Sequence, residues 1–299
     1  MFLALSGLYE PSAVQQLPDG RFLVVEDEKQ KPFSLVSIGT DGKISNQALK
    51  PGLLQWGDTF WQLDDLEALA LDRSGYLYAS TSHSRNSSGN EKKARDKLVR
   101  FKIEGDRVVE PKVVTGLKSA LAAKHPVLAA AAALRDVKAE GGLNIEALEI
   151  SPEQRLLIGF RSPLQGNLAI IASVENPGPI FEAGAPVQVA PTLTTLDLGG
   201  HGIRGMAYIA ALGGYLIISG PVGPESAQFG LWFWSGAPSA PGRRVTVPGL
   251  PGFEHAEGVS AALIGGQRRI LIVSDDGSRQ DRRYARYLLL DPAQLHIAP

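Results

Sequence analysis

One unit recurs five times along this chain: a short apolar strand, a tight polar turn, and a second apolar strand that ends in polar residues. The copies open at Glu10 (EPSAVQQLPDGRFLVVEDE), Glu67 (EALALDRSGYLYASTSH), Glu146 (EALEISPEQRLLIGFRSP), Arg204 (RGMAYIAALGGYLIISGPV) and Glu257 (EGVSAALIGGQRRILIVSDDG). A third apolar run follows each copy, at residues 33–38, 97–103, 167–174, 231–234 and 287–290, and usually a fourth. Three or four antiparallel strands cannot bury both of their faces alone, but stacked radially each sheet covers its neighbours. The pattern therefore predicts an all-β fold, a five-bladed β-propeller filling residues 1–299. A six-bladed ring with one degenerate blade near residues 176–200 is the alternative.

Spacing supports five. The copies start roughly fifty to sixty residues apart, except between Glu67 and Glu146, where an Ala-rich segment intervenes. That insertion, at about 115–140, reads as two short helices broken at His125-Pro126, since Ala favours helix and Pro suits a first helical turn. The run from Glu257 to the end and round to Glu10 is about one repeat long, so residues 2–8 are expected to supply the outermost strand of the last blade, in the sheet of residues 270–273. Such closure hides two strand edges.

Composition excludes several classes. With 299 residues, 44% apolar and 20% charged, the chain buries a sizeable core and is not disordered. A net charge of −1 leaves no electrostatic footprint for nucleic acid or a membrane surface. The absence of cysteine rules out thiolate nucleophiles, disulfides and zinc–thiolate sites. The opening MFLALSG has no basic segment and too short an apolar run for a signal peptide, and no long apolar stretch occurs anywhere. The expectation is a cytoplasmic protein, unless a leader has been removed. Oligomeric state is not legible.

Propeller topology brings the starts of the inner strands to one channel mouth. Glu10, Glu67, Glu146, Arg204 and Glu257 should ring it, beside the ends of the second strands, which carry Glu26, Asp27 and Glu28, then His83, Arg161, Asp275 and Asp276. Loops on that face are long, and loops held by a rigid scaffold are where binding groups concentrate. Four carboxylates in a narrow ring require protonation, basic partners or a bound cation. A hard divalent ion, Ca²⁺ foremost, would suit an all-oxygen site of Glu10, Glu67, Glu146, Glu257 and Asp275. The structural alternative is that these Glu side chains cap neighbouring strands or pair with Arg161 and Arg204.

Eight cations in the surrounding loops, Arg85, Lys92, Lys93, Arg95, Arg279, Arg282, Arg283 and Arg286, would attract an anion or merely keep the loops solvated. His83, His201 and His255 map to the same face without metal-ligand spacing. Ser82, Ser162 and Ser274 lack a GxSxG elbow, and no Gly pair precedes a phosphate-binding Lys. Trp56, Phe60 and Trp61 line a pocket or staple a loop.

The openings LEALAL, IEALEIS, IRGMAYI and AEGVSAAL, with the late ILIVSDDG, resemble an uncharacterised bacterial β-propeller family. More distantly, they are similar to phytase-like propeller proteins with a repeated Glu-Gly-hydrophobic inner strand. The resemblance covers essentially the whole chain and implies that the Glu ring faces a channel able to hold calcium, with Asp275 and Asp276 beside it. Arg204 departs from that pattern. The function expected is a divalent-metal-assisted hydrolase of an anionic small molecule, a phosphoester or lactone. In that scheme Glu257, Asp275 or His83 handles the proton, and Arg161 or Arg204 holds the anion. The alternative is a non-catalytic propeller whose mouth binds a protein, peptide or metabolite.

Overall fold

Alternating apolar runs punctuated by Gly and Pro turns give short strands with two buried faces, and such strands dominate the computed structural model of the chain, which describes residues 2–26, 31–51, 59–223 and 228–299. Strand β1 (Leu3–Ala4) comes first. The first blade is β2 (Pro11–Gln16), β3 (Phe22–Glu26), β4 (Phe33–Ile38) and β5 (Ile44–Ala48). The second is β6 (Leu66–Leu71), β7 (Leu77–Thr81), β8 (Leu98–Glu104) and β9 (Arg107–Val114). Helices α1 (Leu117–Lys124), α2 (Pro126–Ala133) and α3 (Val137–Glu140) follow, with Pro126 in the first turn of α2. The third blade is β10 (Asn144–Ile150), β11 (Leu156–Ser162), β12 (Ala169–Val174) and, after α4 (Pro177–Glu182), β13 (Thr194–Leu196). Strands β14 (Gly202–Ile209), β15 (Gly214–Gly220), β16 (Gly230–Trp234) and β17 (Arg243–Thr246) make the fourth. The fifth is β18 (Ala256–Ile264), β19 (Gln267–Ser274) and β20 (Arg286–Leu290), and the short β21 (His296–Ile297) returns to the edge of the fourth.

The described residues thus form five antiparallel sheets, each running outward from an inner strand, and the protein is a five-bladed β-propeller. Inner strands contact in the cyclic order β2, β6, β10, β14, β18 and back to β2. Strand β1 pairs with β20, Leu3 opposite Tyr287 and Ala4 opposite Arg286, so the N-terminal segment lies in the sheet of β18 and β19.

The apolar core is divided in the same way. Separate clusters fill each gap between consecutive blades: Phe33, Phe60, Leu66 and Phe101 between the first and second, Ile158, Leu117 and Tyr78 between the second and third with the helices. Ile203, Ile171 and Met206 fill the next gap, then Ile218, Val259 and Ile272, and finally Leu5, Leu8, Val14 and Tyr287 between the fifth and first. The residues 176–200, which the six-bladed alternative takes as a degenerate blade, instead supply α4 and the outer strand of the third blade. Among the described residues no helix is long and apolar enough to cross a membrane.

Candidate functional site

Each inner strand carries a β-bulge near its start, and the five bulges build the floor of the site. In β6, Leu66 pairs with Thr81 and Ala68 with Ser80, leaving Glu67 as the extra residue. The same irregularity leaves Glu146 extra in β10, Arg204 in β14 and Glu257 in β18. In β2 the extra residue is Ser12, between the pairs Pro11–Glu26 and Ala13–Val25. A bulge bends the strand and re-aims one side chain, and all five extra residues line one cavity of about 1120 Å³ at the channel mouth.

This corrects the place given to Glu10 in the repeat. Glu10 also lines the cavity, but it lies two residues before the ring position, in an exposed segment outside β2. The signal that would have found Ser12 is the small residue after each ring position: Ala13, Ala68, Ala147, Gly205 and Gly258. That position lies against the next blade. A Cβ on Gly205 would sit 1.9 Å from the Glu257 carbonyl oxygen, and one on Gly258 would sit 2.9 Å from the Val14 nitrogen.

Ion pairs tie the floor together. Arg204, Glu146 and Glu257 are 9%, 4% and 5% exposed, and the Arg204 guanidinium stands between the two carboxylates. Its Nε is 3.0 Å from Glu146 Oε2, and its NH2 pairs with Glu257 Oε1. Arg161, itself extra in β11 through a second bulge opposite β10, donates from NH1 to Glu146 Oε1 at 3.2 Å and from Nε to the Pro221 carbonyl. Asn144 Nδ2 donates to the same Glu146 oxygen at 2.9 Å. Burial pushes the Arg204 guanidinium below its usual range, and the charges of Glu146, Glu67 and Asp275 work against that shift.

Those pairings decide the fit of a metal. Glu146 and Glu257 already face a guanidinium, and among the described residues no group of three or more His, Asp or Glu side chains is arranged to hold a metal ion. The five ligands expected for calcium, Glu10, Glu67, Glu146, Glu257 and Asp275, all line the cavity, but not as a coordination sphere.

The walls come from loops. Arg85, Lys92 and Arg95 line the cavity from the segment after β7, and Asp64 and Asp65 from the segment before β6. Arg95 NH1 is 2.8 Å from Asp65 Oδ2 and its Nε 3.5 Å from Asp64, while Ser82 and Ser84 donate to Asp65 as well. Arg85 and Lys118 both pair with Glu91, at 3.1 and 2.6 Å, which fastens this loop to α1. The helical insert roofs the mouth, with Arg135, Asp136, Val137 and Ala139 in the lining. Arg135, Asp64 and Asp65 are site residues that the sequence did not single out, because nothing in it marks which side chains of a mouth-face loop turn inward. Among the described residues, Lys92 and Arg135 are cavity cations without an ion pair.

Other expected residues lie elsewhere. The His83 side chain is fully buried outside the lining, its Nδ1 2.7 Å from Asp96 Oδ1, and this contact holds the Asp96 carboxyl below its ordinary range. Asp275 lines the cavity, but Asp276 turns to Ser274 and Arg286. Glu26 accepts from the Tyr9 amide at 3.0 Å. Lys93, Arg279, Arg282, Arg283 and Arg286 lie outside the lining, as do His201 and His255. Phe60 and Trp61 pack on Phe33 rather than on the cavity. Asp27, Glu28 and Trp56 lie outside the described residues.

Among the described residues, eight carboxylates and six cations line the mouth, so the lining they form is acidic, and a local pair such as Lys92 and Arg135 would hold an anion. Comparison with known proteins adds family and fold. Residues 117–291 match a family described as proteins of unknown function (DUF3616). No curated protein matches in sequence. A GH43 β-1,3-galactosidase bound to galactodeoxynojirimycin aligns over 99% of this chain and 98% of its own, with 9% identity and a TM-score of 0.51, which shows likeness of fold alone. A provisionally assigned oxidoreductase (glucose dehydrogenase) from Thermus thermophilus aligns over 97% and 99%, with 17% identity and a TM-score of 0.48. A gluconolactonase from Xanthomonas campestris aligns over 99% and 86%, with 12% identity and a TM-score of 0.43.

Proposed function

The chain belongs to the DUF3616 family, and from the chemistry of its channel mouth we propose that it binds an anionic, hydroxyl-bearing small molecule there and hydrolyses an ester bond within it, a lactone or a phosphoester. The observation that carries this reading is the mixed lining: carboxylates that only accept hydrogen bonds on the floor, and the cations Lys92 and Arg135, which only donate, in the wall. A ligand satisfying both needs hydroxyl donors and an anionic group. Lys92 and Arg135 would hold the anion, in place of the Arg161 and Arg204 first expected, since those two are occupied by Glu146 and Glu257.

Asp275 or Glu67 would serve as general base, taking a proton from the water that attacks the carbonyl or phosphoryl centre and returning it to the oxygen that leaves as the ester bond breaks. Glu257 is held as a carboxylate by Arg204, which makes it an electrostatic rather than a proton-transferring group. No step is routed through a divalent ion, because the ring carboxylates do not form a ligand set for one.

A second reading, binding without turnover, is favoured by the same pairing: two of the three ring carboxylates are neutralised by one arginine. A panel of aldonolactones and phosphate monoesters, followed by thermal shift and by product formation, separates the two. Arg135→Ala and Lys92→Ala should each weaken binding of the responding compound about tenfold, the loss of one charge-assisted contact. Stabilisation without product leaves the mouth as a receptor. No response to any compound from folded protein refutes both readings.

A further inference from the structure

We propose that the ligand of the channel mouth carries a protonated amine as well as an anion, with the ammonium on the floor and the anion at the wall, as an amino-sugar phosphate would. This two-headed class narrows the anionic, hydroxyl-bearing ligand of the proposed function, on which it rests, and it requires binding only.

Charge is unevenly spread over the lining. Among the described residues the floor side contributes five carboxylates, those of Glu10, Glu67, Glu146, Glu257 and Asp275. Against them stand two guanidiniums, Arg161 and Arg204. The loops and the helical insert reverse the balance, with four cations, Lys92 and Arg135 included, against Asp64, Asp65 and Asp136. A concave mouth walled by protein focuses such a field, so the floor draws a positive group and the wall a negative one.

A second observation falls on the floor. Asn144 lines the cavity and is 8% exposed, and among the described residues no donor reaches its Oδ1. Glu146 fixes which way this amide stands: Nδ2 donates to Oε1 at 2.9 Å, and because a carboxylate only accepts, the nitrogen must face it and the oxygen must turn away. A buried acceptor left without a donor is costly, and such groups in native proteins call for a partner. An ammonium brings three donors and a full charge, so it answers both the field and this oxygen, where a hydroxyl brings one donor and no charge. A metal ion demands a close, convergent shell of oxygens, and the floor carboxylates do not form one. An ammonium is satisfied by separate acceptors around it.

The test is calorimetric titration of the full chain at about pH 6, where such an amine is protonated, with glucosamine 6-phosphate, glucose 6-phosphate and glucosamine. Glucosamine 6-phosphate should bind about tenfold or more tightly than either of the others, which each lack one charged end. Asn144→Ala should pull the ratio of affinities for the two phosphates towards one. Glu10→Gln, in an exposed segment where the fold does not depend on it, should do the same by weakening the field of the floor. Lys92→Ala should weaken both phosphates and leave their ratio as it is.

Equal affinity for the two phosphates overturns the proposal and leaves the proposed function standing, since an anionic, hydroxyl-bearing ligand would still bind. Glucosamine that binds as tightly as its phosphate overturns it too, because the wall would then hold no anion. A ratio moved by neither Asn144→Ala nor Glu10→Gln overturns it by placing the amine away from the floor. Binding of none of the three also overturns it, while aldonolactones and other phosphate monoesters still decide the proposed function.

Discussion

Three positions beyond the ring residue, single side chains staple one blade to the next. Glu149 in β10 accepts from the Tyr208 amide in β14 at 2.8 Å, and Ser260 in β18 accepts from the Gln16 amide in β2 at 3.1 Å. Both donors sit four positions beyond their own ring residue, Arg204 and Ser12, so the same inter-blade amide is satisfied by different acceptors. Burial pushes the Glu149 carboxyl from its ordinary 4.5 up to about 8, against the amides of Tyr208 and Ile150, which favour the charged form. Because the folded value is raised, the contribution of Glu149 to stability is whole below pH 4.5, declines as pH rises towards about 8, and is lost above it. Glu149→Gln keeps an acceptor for Tyr208 without the ionisation. It should lie within about 1 kcal/mol of wild type below pH 4.5 and flatten the fall in denaturant stability between pH 4.5 and about 8. An unchanged pH slope would place the decline in another group.

At the scale of the element, the bulged strand start needs a small residue behind it. The backbone of β14 approaches that of β18 so closely that the pro-Cβ direction of Gly205 points at the Glu257 carbonyl. Gly205→Ala should cost about 1–3 kcal/mol or more through overpacking, and circular dichroism should show the strands retained while the melting temperature falls. Wild-type stability in that variant would mean that the blades have slack there. The helices of the insert are elements of the same kind of necessity. Leu117, Leu121 and Leu128 are fully buried in the core between the second and third blades, so the roof of the cavity is anchored by its own apolar face. Leu121→Ala should destabilise by about 2–5 kcal/mol, the cost of a core cavity.

For the whole molecule, closure is the decisive event. A ring of blades has no free inner interface only if the last blade meets the first, and here Leu5 and Leu8 are buried in that final gap beside Val14, Phe22 and Tyr287. The adjoining β1 covers the edge of β20. Deleting residues 2–8 should uncover both the apolar gap and a strand edge, and unpaired edges template association. The truncated protein is expected to unfold at lower temperature and to aggregate at concentrations where the full chain stays dispersed. Light scattering during a thermal ramp would show it. A truncated chain with the melting behaviour of wild type would mean that β18, β19 and β20 close the ring without it.

By itself the sequence determined the blade number, the ring closure and the helical insert, because each rests on local periodicity: alternation within a strand, a recurring turn, an Ala run broken by Pro. It also determined that Glu67, Glu146, Arg204, Glu257, Arg161 and Asp275 reach one mouth, since equivalent positions of a repeat occupy equivalent places. Only the tertiary structure decided that Ser12 rather than Glu10 holds the first ring position, because a bulge is a fact of pairing between strands and not of either strand alone. It decided, too, that the acids meet an arginine. Arg204 and Glu257 are 53 residues apart and Glu149 and Tyr208 are 59 apart, and such contacts exist only after blades have stacked. Which side chains of the mouth-face loops turn inward, and so that Arg135 and Asp65 belong to the cavity, follows from the same long-range packing.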